Sequence, residues 1–238
     1  VMGAGGVILP PKGYFEKIQA VLKKYEVLMI ADEVICGFGR TGNMWGSQTF
    51  GIQPDILTCA KALSSAYLPI SAVMISEEIY QGLRGNSEKL GLFGHGYTYS
   101  AHPACAAVAL RAQQLMQERD IIGHIRAIAP QFQNRIAKLG EHALVGQARG
   151  IGLIGAVEIV ADKETKRSYD PAQKVGALIQ NAAQEHGLIT RAMPGDILGF
   201  CPPLIISAEE IDEMFDRFTR AMDETEMQLK QQGASAAQ

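Results

Sequence analysis

The sequence predicts an α/β fold followed by a smaller α+β part, and three observations carry that expectation. Residues 27–31 (VLMIA), 55–60 (DILTCA) and 70–75 (ISAVMI) are short apolar runs without polar alternation, the pattern of strands buried on both faces of a mainly parallel sheet. Amphipathic helical spacing appears before and after them. Beyond Gly140 the chain turns to extended stretches broken by Gly146, Gly150, Gly152 and Gly155, which sets two domains at residues 1–125 and 126–238.

In chain order, Pro11 suits the first turn of a helix, and Tyr14, Phe15, Ile18, Val21, Leu22 and Tyr25 follow at helical spacing over residues 12–25. The run 27–31 ends against Asp32 and Glu33. Both acids therefore sit at the C-terminal end of a strand, where open α/β sheets hold ligands. Lys61 follows the next run directly, and a long helix extends from Pro103 to about Arg119. Asp170 and Pro171 cap and open a helix that Gly187 ends. Residues 188–192 and 197–201 read as strands around the turn Pro194-Gly195-Asp196. Ser207 and Glu210 form a capping box for a last helix with Ile211, Met214, Phe215, Phe218 and Met222 on one face. The tail GASAAQ is expected to be disordered. The opening VMGAGGVILP, starting at Val1, reads as the interior of a fold, so the chain is expected to be a fragment.

The 238 residues are 47% hydrophobic with a net charge of −3, an ordinary globular composition. Basic residues alternate with acids, which argues against a nucleic-acid partner. No run approaches the roughly 20 apolar residues of a membrane helix, and no charged-then-apolar leader opens the chain, so no membrane association is expected. Cys36, Cys59, Cys105 and Cys201 lack C-x-x-C spacing. Read as small buried hydrophobes, they suggest a reducing cytoplasm and no zinc site.

Several local patterns have a plain reading beside a chemical one. VLMIADE has the form of a Walker B strand, but no G-x-x-x-x-G-K-[ST] loop accompanies it. Gly37, Gly39 and Gly42 form a G-x-G-x-x-G that neither follows a strand directly nor opens a helix, so a turn is expected. His95 and His102 lack a third metal ligand at usable spacing and read as structural; the lone Trp45 reads as core. Lys61 is different. It is the only charge between Asp55 and Glu77, and desolvation by its apolar flanks would make its amine a nucleophile toward an aldehyde. Pyridoxal phosphate is the obvious aldehyde cofactor, and it also needs an acid against its ring nitrogen, a role open to Asp32.

Five blocks in order, GAGGVILPPKGYF, LMIADEVICGFGRTGNMWG, PDILTCAKALSSAYLPISAV, HGYTYSAHPACAAVAL and LITRAMPGDILGFCPPLIIS, resemble class III aminotransferases over nearly the whole chain. The resemblance implies the fold type I pyridoxal 5'-phosphate (PLP) transferase fold, with part of the large mainly parallel-sheet domain and a small C-terminal α+β domain. Lys61 resembles the lysine that holds the cofactor as a Schiff base, Asp32 the acid bonded to the pyridine nitrogen, and Val34 the residue packed on the ring. Thr98 resembles the threonine that binds the cofactor phosphate of a neighbouring subunit, which implies a homodimer or higher homo-oligomer. Arg191 resembles the arginine that receives the substrate carboxylate, a task suited to its bidentate fork. An edge-strand Arg paired with Asp196 is the plainer reading of that residue.

What the resemblance implies is transamination from an amine or an ω- or β-amino acid to a keto acid. The block HGYTYSAHP is closer to the pyruvate-using subgroup than to ornithine, 4-aminobutyrate or mutase members, which makes pyruvate the expected acceptor. The family's phosphate loop and ring-stacking aromatic are expected upstream of Val1, so the chain alone is expected to be inactive. An aminomutase of the same fold and a non-catalytic protein are the alternatives.

Overall fold

The structure, a computed structural model, describes residues 1–236, with side chains to Gln231. It divides into two compact units: Pro10–Ile122, and Val1–Leu9 together with the chain from Gly123 onward.

In the first unit, helix α1 (Tyr14–Lys24) precedes strand β1 (Ile30–Asp32), the short helix α2 (Gly46–Thr49), strand β2 (Ile56–Cys59) and strand β3 (Ala72–Ile75). The sheet order is β1-β2-β3, with β1 parallel to β2 and β3 antiparallel to β2. Helices α3 (Glu77–Leu90) and α4 (Pro103–Glu118) complete the unit. Sequence periodicity does not reveal α3, although Ser76 caps it by accepting the Ile79 N–H and Gly91 ends it in a left-handed conformation. The run 27–31, expected to be a strand buried on both faces, is not one. Only Ile30 and Ala31 of it are in β1, and Val27, Leu28 and Ile30 are all more than half exposed. The reason is position: β1 is an edge of the sheet among the described residues, with a partner on one side only.

The second unit holds helix α5 (Ile121–Leu139), which begins at the boundary and carries Pro130 inside it, then strands β4 (Val145–Ile151) and β5 (Ile154–Ile159). The glycine-broken stretch is thus a tight hairpin. Helix α6 (Val175–Glu185), strands β6 (Arg191–Met193) and β7 (Ile197–Phe200) and helix α7 (Ala208–Ala236) follow, and the sheet runs β4-β5-β7-β6, antiparallel throughout. Phe132 of α5 and Phe200 of β7 pack on Phe215 of α7 with ring centroids 5.4 and 5.2 Å apart. These contacts form the core, in which Phe132, Phe215, Phe218 and Met222 are fully buried.

Three sequence expectations change in this unit. Asp170 caps a single 3₁₀ turn, Pro171–Gln173, and α6 starts afresh after Lys174, its Gly176 N–H held at 2.8 Å by Asp196 Oδ1. Leu188 is drawn into the end of α6, donating its N–H to Ala183 O, so the strand starts at Arg191. The tail expected to be disordered continues α7 to Ala236, and its last two residues lie outside those described. The capping box forms as expected: Ser207 N–H donates to Glu210 Oε2 at 2.8 Å, and Glu210 N–H to Ser207 Oγ at 3.1 Å. No described helix is long and apolar enough to cross a membrane, and no disulfide joins the four cysteines.

Candidate functional site

Two neighbouring parallel strands bring an acid and an amine to the same sheet end. Asp32 is the last residue of β1 and pairs in register with Thr58 of β2. Lys61 follows three positions after Thr58, so both lie at the C-terminal ends of their strands, where parallel sheets present ligand-binding groups. Asp32 is exposed, and its Oδ1 accepts the Val34 N–H at 3.0 Å. Its Oδ2 and the Lys61 Nζ have no hydrogen-bond partner among the described residues. A carboxylate oxygen and an amine open to a ligand are the donor set PLP requires, so the residues fit that group.

Lys61 is exposed, which overturns the expected desolvation. Its apolar flanks go elsewhere: Leu57 and Cys59 are buried within β2, while Tyr67 and Val73 are themselves exposed. The lysine's backbone is unusual in another way. It has φ +46°, left-handed for a side-chain-bearing residue, at the start of a 3₁₀ turn, Lys61–Ser64.

The segment after Asp32 is the most buried part of this unit. Glu33, 3% exposed, accepts the backbone N–H groups of Gly46 at 2.8 Å and Ser47 at 2.5 Å, so its carboxylate satisfies the start of α2. Gly39 and Gly42 adopt positive φ in the turns between, as expected of glycines outside a nucleotide fingerprint. Trp45 packs edge-on against Phe38 at 4.9 Å. Val34, half-buried, opens this segment. Burial pushes the Cys36 and Cys59 thiols up from their ordinary value, for Cys59 with a partial offset from the Ala72 N–H.

Thr98 lies within residues 91–102, every one of them exposed, in a turn where Tyr97 N–H donates to Ser100 Oγ and Ser100 N–H to Tyr97 O, each at 2.9 Å. His102 caps α4, its Nδ1 accepting the Ala104 N–H. Arg191 belongs to the other unit. It is exposed at the start of β6 and makes no ion pair among the described residues; Asp196, its plainer partner, holds Gly176 instead.

Sequence reasoning missed three groups. Glu33 was noted only as a neighbour of Asp32, and Gln113, which donates to the turn after Lys61, carries no sequence signal at all. The third is a cluster of His142, Asp223 and Glu226 whose ligand atoms lie within 4.8 Å of one another. His142 Nδ1 accepts the Leu144 N–H, so the ring proton sits on Nε2 and is donated toward Asp223 at 3.2 Å. That tautomer makes the cluster a hydrogen-bonded clamp between α7 and the β4 approach. A groove of about 510 Å³ opens among Leu188, Ile189, Phe200, Pro202, Ile205 and Met214, and no predicted site residue lines it.

The chain matches the family described as Aminotransferase class-III over residues 1–222. It is 51% identical over 216 residues to an uncharacterized aminotransferase of Sinorhizobium fredii, covering 90% of this chain and 46% of that one. It is 45% identical over 231 residues to the mitochondrial gamma aminobutyrate transaminase 1 of Solanum lycopersicum, covering 97% and 45%. Among solved structures, the omega transaminase from Pseudomonas jessenii in complex with PMP aligns with a TM-score of 0.91 at 49% identity, over 94% of this chain and 49% of that one. The chain thus spans about half the length of the curated relatives it matches.

Proposed function

Because the chain belongs to the class-III aminotransferases, whose members depend on pyridoxal 5'-phosphate, we propose that it carries the lysine and acid of a transaminase active site. The amino group would pass from an amine or an ω- or β-amino acid to a keto acid, pyruvate. Support comes from one observation above all: the register that sets Asp32 across from Thr58 and so brings it to the same strand ends as Lys61.

When bound, the cofactor supplies an aldehyde that takes up an amino group and a protonated ring that draws electrons from the reacting carbon. Lys61 Nζ anchors it covalently. Its Nζ would also serve as the base for the proton on the donor's amine-bearing carbon. Asp32 Oδ2 would keep the ring nitrogen of the cofactor protonated, and Val34 would help hold the ring. The Thr98 hydroxyl donates to the cofactor phosphate of a neighbouring subunit in a homodimer, a reading supported by the exposure of the whole segment 91–102. Arg191 would receive the carboxylate, supported by its exposed guanidinium, which makes no ion pair among the described residues.

In this reading residues 1–125 are the C-terminal part of the large cofactor domain and 126–238 the small domain. A cytoplasmic location rests only on the thiols. The name of the tomato relative makes 4-aminobutyrate, an ω-amino acid, a donor to test first.

The test is borohydride reduction of the complete protein with PLP. A stable adduct should map to Lys61 and vanish in Lys61→Ala; an undiminished adduct in that variant overturns the assignment. Turnover that needs no keto acid would instead identify an aminomutase.

A further inference from the structure

The turn that carries Lys61 is strained and does not hold itself. Lys61, Ser65 and Ala66 have φ +46°, +50° and +60°, three residues with side chains in the left-handed region within six positions. Conformations of this kind persist only where the surroundings over-determine them. Some of the bonds are internal: Leu63 N–H donates to Ala60 O at 3.0 Å, Ser65 N–H to Ala62 O at 3.2 Å, and Ala66 N–H to Lys61 O at 3.1 Å. The Ser64 hydroxyl, in a side chain 1% exposed, donates to Leu68 O at 2.7 Å.

Two bonds to this turn come from one residue far away in sequence. Gln113, half-buried on α4, donates from Nε2 to Leu63 O at 2.8 Å and to Ala62 O at 3.3 Å, fifty and fifty-one residues away. Leu63 O has no other partner among the described residues. The helix that supplies Gln113 is anchored by Ala109, Ala112 and Met116, all buried.

We propose that Gln113 is a positioning residue for Lys61, holding the carbonyls of its turn so that the lysine backbone stays left-handed and its side chain leaves the end of β2 in one fixed direction. This rests on the reading of Lys61 as the cofactor lysine. Gln113 touches neither cofactor nor substrate and acts only through the turn.

The experiment uses the complete protein. Gln113→Met keeps the length of the side chain and removes the donor. Gln113→Glu keeps the shape and sets a carboxylate against two carbonyls, and Arg111→Ala alters the same helix without touching the turn. Without cofactor, the Ser65 and Ala66 amides should exchange about tenfold faster in Gln113→Met and faster again in Gln113→Glu, with Met116 and its neighbours in α4 unchanged. With PLP, the pH midpoint of the visible band of the lysine-bound cofactor should shift, and kcat should fall about three- to tenfold with KM within about twofold. Arg111→Ala should match wild type in every readout.

Unchanged exchange at residues 65 and 66 with an unchanged band midpoint overturns the proposal. So does faster exchange spread along α4 with an unchanged midpoint, because Gln113 would then support the helix and not the lysine. A wild-type protein that traps no cofactor on Lys61 sinks the parent reading, and this proposal with it. Trapping with wild-type behaviour in both Gln113 variants sinks this proposal alone.

Discussion

The Glu33 carboxylate accepts the Gly46 N–H at 2.8 Å in a pocket so tight that a Cβ on Gly46 would lie 3.0 Å from Glu33 Oε2 and 2.7 Å from Cys36 Cβ. The second oxygen takes the Ser47 N–H, so both oxygens are committed. Glu33→Gln replaces one acceptor with a donor facing an N–H. The expected loss is about 1–3 kcal/mol, the usual penalty for a buried donor left unsatisfied. Urea unfolding of the complete protein checks it, and a midpoint equal to wild type would mean that the clasp carries no stability.

Ser207→Ala should cost about 1 kcal/mol by removing the acceptor for the Glu210 N–H at the start of α7. Glu210→Ala leaves the Ser207 N–H to water and should cost less, since that group is exposed. The two changes share one motif and should not add. A double-mutant cycle in denaturant measures the coupling.

The elements read most reliably from sequence are those whose signal is local. The α7 cap needs only Ser207 and Glu210, and the buried stripe Ile211, Phe215, Phe218 and Met222 repeats at helical spacing. Helix α5 was hidden because Pro130 interrupts it. Helix α3 was hidden because its apolar residues are few, Ile79, Tyr80, Leu83 and Leu90, among polar residues and two glycines. The error at residues 27–31 has the opposite cause: an apolar run records the burial a segment is suited to, not whether a partner strand is present. Asp32 and Lys61 could be picked out by residue type and placement. Gln113 could not, because its role depends on a contact fifty residues away in sequence.

The two residues at the strand ends should fail differently. Under the proposed roles, Lys61→Ala would remove both the covalent anchor and the base, and turnover should disappear within detection. Under the same proposal, Asp32→Ala would leave both in place and weaken only the hold on the ring proton, so kcat should fall by about 10²–10⁴-fold, the range for losing one acid–base group. Single-turnover absorbance with 4-aminobutyrate separates them. Equal residual rates would remove Asp32 from the ring-nitrogen role.

Arg191, exposed and without an ion pair among the described residues, should act on carboxylates alone. Arg191→Lys keeps the charge but loses the bidentate fork, and KM for pyruvate should rise by about tenfold, the equivalent of about 1.4 kcal/mol. KM for a donor amine without a carboxylate should stay unchanged. Steady-state kinetics with both donor types decides between this and a purely structural arginine, which would move both constants together.

The thiols give a prediction in pH. Burial holds Cys36 and Cys59 above the ordinary thiol value of 9.0, whereas Cys201 is exposed. Iodoacetamide should therefore label Cys201 first and reach Cys36 and Cys59 only after unfolding. The sign for stability follows from proton counts. Above 9.0 the unfolded chain gives up its thiol protons while the folded chain keeps them, so the unfolded state binds fewer protons and stability falls as pH rises. Below that value both states keep the proton and the thiols contribute no slope. Cys59→Ala should lose less stability than wild type across the alkaline window, and parallel pH profiles for the two proteins would show that the Cys59 thiol is not held above its ordinary value.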